Sequence, residues 1–84
     1  MGGSAWAMAG QIGEGFILVS DRTWARLDRG DLEKLAFELD KLLRETRSVQ
    51  PSLDDIQALQ QRNRRVSRLT GALSQLRSYQ TRMR

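Results

Sequence analysis

Cysteine and histidine are both missing from this 84-residue chain. Their absence excludes a disulfide framework and an ordinary zinc site. It also removes the commonest general base and the most readily activated nucleophile. A chain without cysteine suits any compartment, so an intracellular site is only the default expectation. Aromatic residues make up 6% of the chain, and the core is therefore expected to be small and mostly leucine. The most apolar run, Phe16-Ile17-Leu18-Val19, is far too short to cross a bilayer. No transmembrane segment is expected, and the start of the chain lacks the charged and apolar regions of a signal peptide.

Acid is missing from the last third. Residues 1–55 hold seven basic and ten acidic side chains, a net −3. Residues 56–84 hold seven arginines and no acid, a net +7. Such an asymmetry points to an anionic partner or to pairing between the two parts of the chain.

Proline occurs once, at Pro51, and the chain is organised around it. Proline cannot sit inside a helix, and it pushes the preceding residue out of the α region. Ser52 follows as a candidate N-cap, with Asp54 and Asp55 on the positive end of a new helix dipole. One helix stops and another starts within about five residues, which specifies an antiparallel helical hairpin.

The two long helices are legible from their spacing. Leu32, Leu35, Leu39, Leu42, Thr46 and Val49 step by three and four, as an a/d seam does. This predicts a helix over 31–48. Its other face carries Lys34–Glu38, Asp40–Arg44 and Lys41–Glu45, pairs four apart that suit a solvated surface. The last helix is predicted over 52–83, with Ile56, Leu59, Asn63, Val66, Leu69, Leu73, Leu76, Tyr79 and Met83 along its stripe. Asn63 falls on the seam, either as an exposed amide at its edge or as a buried polar residue fixing register.

A short helix is predicted over 21–29, with Trp24 and Leu27 on one face. Ser20 is its expected N-cap, and Val19 and Trp24 have hydrophobic-staple spacing. Gly30 and the five-residue step from Leu27 to Leu32 predict a kink there, with Asp31 capping the helix that follows. Phe16, Ile17 and Leu18 are expected to cover the end of the core. Residues 1–15 are rich in glycine and alanine and read as a flexible leader, whose first residues resemble an expression remnant. Gly10, Gly13 and Gly15 do not make a phosphate loop, because no strand precedes them and no Gly-Lys-Ser/Thr follows.

The expected fold is therefore all-α: an antiparallel helical hairpin with a short extra N-terminal helix, a small three-helix bundle. No catalytic set, cofactor site or metal site is visible, and no enzyme is expected. The favoured function is protein interaction, as a small helical subunit, adaptor or chaperone that completes a bundle with itself or another helical protein. Leu69, Leu73, Leu76, Tyr79 and Met83 are the expected interface of such a homo- or hetero-oligomer. The alternative is nucleic-acid binding by the basic helix over 56–84, through Arg62, Arg64, Arg65 and Arg68.

Overall fold

The structure, a computed structural model, describes residues 4–82. Four helices follow one another: α1 (Ser4–Glu14), α2 (Asp21–Ala25), α3 (Arg29–Ser48) and α4 (Ile56–Arg82). The protein is all-α, with no strand among the described residues. Helices α3 and α4 pack as the hairpin that Pro51 demanded, α1 lies on both of them, and α2 packs on α4. The molecule measures 46 × 24 × 20 Å.

The turn between α3 and α4 differs in detail from the expectation. Ser52 makes a turn rather than the cap: its hydroxyl accepts from the Asp54 N–H at 3.3 Å and its carbonyl from the Asp55 N–H at 3.0 Å. Asp55 is the residue that caps α4, accepting the Ala58 N–H on its carboxylate at 3.0 Å. An aspartate there satisfies an orphan donor and also meets the dipole with charge.

The break before α3 also moves. Gly30 lies in the first turn of α3, and the chain turns two residues earlier. Asp28, not Asp31, is the N-cap, accepting the Asp31 N–H at 2.8 Å. Helix α2 accordingly ends at Ala25 instead of residue 29. Ser20 does precede α2, with its own N–H donating to Thr23 Oγ1 at 3.1 Å. Val19 packs against the core in which Trp24 is fully buried.

The largest correction concerns the N-terminus. Residues 4–14 form α1, not a flexible leader. Ala9 and Ile12 are buried in the same core as Leu32, Leu35, Leu39, Leu69 and Leu76. Helix α1 ends in a Schellman turn: the Phe16 N–H donates to the Gln11 carbonyl at 2.9 Å, and the Gly15 N–H to the Ile12 carbonyl at 3.1 Å. This turn needs a residue in the left-handed region, and Gly15 supplies it at φ +84°. Gly13 is buried where α1 meets α4, and a Cβ there would stand 3.4 Å from a methyl of Leu69. Two glycines that read as flexibility are thus a helix stop and a contact point. The expectation that residues 1–3 are unstructured lies outside the described residues.

Phe16 and Leu18 do not cover the core; they are 79% and 92% exposed. Of those three residues, Ile17 packs against it. Asn63 is exposed, so it takes the edge-of-seam role rather than the buried one. Along α3 the buried stripe runs Leu32, Leu35, Ala36, Leu39, Leu43 and Thr46. It drifts off the strict heptad that ended on Val49, because a straight helix turns every 3.6 residues rather than 3.5.

Candidate functional site

The charged face of α4 meets the C-terminal ends of two other helices. Carbonyls at a helix C-terminus lack intrahelical partners and carry the negative end of the dipole. Arg62 answers this at the end of α3. Its Nε donates to the Val49 carbonyl at 2.7 Å and its Nη2 to the Arg47 carbonyl at 2.9 Å. Arg68 does the same at the end of α1, donating from Nη1 to the Gly13 carbonyl at 3.2 Å. Between them, Arg65 forms an ion pair with Glu14. Three arginines spaced three apart on one helix thereby tie down two helix ends.

Arg64 differs from these three. It is exposed and, among the described residues, enters no ion pair.

All four arginines line one open groove of about 550 Å³. Its α1 end is formed by Gly13 and Glu14. Leu42, Glu45, Thr46 and Val49 contribute from the end of α3, and Pro51 from the turn. Ala58 and Gln61 join the arginines from α4. The lining is part apolar, with four cations facing two carboxylates. These arginines are neighbours along the helix, and the structure brings them to one groove. It does not leave them equivalent, since three already have partners within the chain.

The expected interface residues are placed differently. Leu69 and Leu76 are fully buried. Leu73 and Tyr79 are half-buried against the same core. The seam expected to meet a second protein is filled from within the chain, by Ala9 and Ile12 of α1 and by Trp24 of α2. Met83 lies outside the described residues.

The apolar groups that do remain on the surface are elsewhere. Val49, Leu53 and Ile56, at the hairpin turn, are 59%, 83% and 65% exposed. Trp6 on α1 and Phe37 on α3 are also exposed. Sequence periodicity placed Val49 and Ile56 on the seams and so missed them. Their position at the two helix ends beside Pro51 was the available signal, because seams fray where helices splay into a turn.

Two further ion pairs lie elsewhere on the surface. Asp21, at the start of α2, is held below the ordinary carboxylate range by hydrogen bonds from Arg82, helped by the attraction between the charges. Both oxygens of Asp21 accept from Arg82, at 2.9 and 3.1 Å. Asp40 and Arg44 form one of the expected pairs along α3 at 3.0 Å. No helix among the described residues is long and apolar enough to cross a membrane. No protein-family model, curated protein or solved structure matches the chain.

Proposed function

We propose that this chain is a non-enzymatic protein-interaction module, a small helical subunit, adaptor or chaperone that docks on another helical protein or a second copy. The observation that carries this reading is the hairpin turn. Val49, Leu53 and Ile56 expose large apolar side chains within eight residues, beside a groove whose lining is part apolar. Apolar groups gathered in this way on a small surface mark contact sites more often than scattered ones do. The interface thus moves from the far end of α4 to the turn.

Molar mass by light scattering on a sizing column, at low and high salt, tests the self-association branch. A dimer that persists at high salt, and that Leu53→Asp with Ile56→Asp dissociates without loss of helicity, supports the turn as the interface. A dimer untouched by these changes refutes it. A monomer that also selects no binder from a displayed peptide library refutes the interaction reading itself.

The convergence of Arg62, Arg64, Arg65 and Arg68 on one groove gives nucleic-acid binding its support as the second reading. The engagement of three of them with the ends of α1 and α3 weighs against it. Retention on DNA or RNA that Arg64→Glu removes would favour it.

A further inference from the structure

The two halves of α4 are buried unequally. From Ile56 to Arg68 not one residue is fully buried, whereas Leu69, Ala72 and Leu76 are. The reason is the shortness of α1. Helix α1 has 11 residues against 20 in α3 and 27 in α4, or about 16, 30 and 40 Å at 1.5 Å per residue. Its C-terminal residues Gly13 and Glu14 form one end of the groove, and beyond them the groove continues between α3 and α4.

We infer that this uncovered half receives a short amphipathic helix of a partner protein, with acidic side chains in its first turn and apolar ones facing the groove. The inference rests on the interaction reading and names the partner's chemistry. Three observations select that occupant. First, the shape fits a helix: the stretch from Ala58 to Arg68 that lines the groove is about 15 Å long, the length of two to three helical turns. Second, the lining matches an amphipathic face, with Leu42, Val49, Pro51 and Ala58 available to apolar side chains. Third, the charge is complementary. Four arginines outweigh Glu14 and Glu45 in the lining. Arg64 is unpaired among the described residues, and Arg68 commits only Nη1 there, so donors remain for carboxylates.

The end of α1 also sets a direction. A helix entering with its N-terminus against the C-terminus of α1 places unlike dipole ends together. Acidic residues in its first turn then lie beside Arg68, which commits only Nη1 to Gly13, and within the groove that Arg64 also lines. An extended polyanion lacks the apolar side chains this lining offers.

The test is selection of random 15-residue peptides displayed on phage against the full chain, followed by titration of an enriched peptide into the isotope-labelled protein. The expected peptides carry Asp or Glu at their start and apolar residues three and four apart. They shift the amides of Leu42, Thr46, Ala58 and Gln61. The double variant Gln61→Glu, Arg64→Glu should weaken them at least tenfold with helicity unchanged, since both side chains are exposed. The variant Ala58→Trp, which fills the groove, should do the same without altering charge. Peptides that bind on Trp6 and Phe37 instead overturn the groove and leave the interaction reading standing. Enrichment of no peptide overturns the groove, and together with a monomeric mass it overturns the interaction reading as well. A dT12 oligonucleotide that shifts the groove amides when no peptide does replaces the helix with nucleic acid.

Discussion

The Arg68 guanidinium reaches back 55 positions along the chain to donate to the Gly13 carbonyl, at 3.2 Å. It does so over Gly15, where a Cβ would stand 2.8 Å from Arg68 Cζ. The end of α1, the turn after it and the basic face of α4 therefore depend on each other. Replacing Gly15 with Ala puts a side chain into the left-handed region, which costs roughly 1–2 kcal/mol, and displaces this guanidinium. The expected outcome in urea unfolding is a loss of that size, with Gly10→Ala, which meets nothing within 4 Å, neutral or stabilising.

Arg62 and Arg64 sit two residues apart and should differ in their effect on stability. Arg62→Ala removes the donors to the last carbonyls of α3, and a cation at a helix C-terminus contributes up to about 1 kcal/mol. Arg64→Ala should leave stability within about 0.5 kcal/mol of the parent. Parallel denaturant titrations check the pair. Equal losses would mean that the contact with the end of α3 contributes nothing.

Trp24 is fully buried, yet its indole N–H finds no hydrogen-bond acceptor among the described residues. Burying an unpaired donor costs about 1–3 kcal/mol. Trp24→Phe removes that donor along with part of the ring, so the two effects offset. Trp24→Ala leaves a cavity and should cost about 3–5 kcal/mol. Thermal unfolding should rank the phenylalanine variant well above the alanine one and close to the parent.

Leu76 separates the core from the surface. It is fully buried, so Leu76→Asp should unfold the chain rather than dissociate a folded assembly. Leu76→Ala should cost about 2–5 kcal/mol. Circular dichroism distinguishes these outcomes from a surface effect, which would leave the helices intact.

The Asp21–Arg82 pair predicts a pH dependence. The Asp21 carboxyl titrates lower in the folded protein than when free, because Arg82 hydrogen-bonds and attracts its charged form. Its contribution is therefore complete above the unfolded carboxylate range and lost as the pH falls through the lower folded value. Asp21→Asn and Arg82→Gln should each reduce stability at neutral pH slightly and flatten its decline below about pH 4. The pair is exposed at both ends, so the effect is small and should fade in high salt.

The sequence by itself determined the hairpin, and the reason is local. Pro51 cannot continue a helix, and the spacing of Leu32, Leu35 and Leu39 repeats at the helical period. Neither needs knowledge of distant residues. Trp24 and Val19 were likewise legible as core residues flanking Ser20, because that signal lies within six residues. Only the tertiary structure decided what covers Leu69 and Leu76, because Ala9 and Ile12 of α1 approach them from some sixty positions away. Helix α1 is short and rich in alanine and glycine, and a helix of that length is held by packing more than by its own propensity. The arginines show the same division. Composition reveals a basic helix, but whether each guanidinium meets solvent or a helix end depends on where α1 and α3 stop in space. Arg62, Arg65 and Arg68 meet such ends, and Arg64 does not.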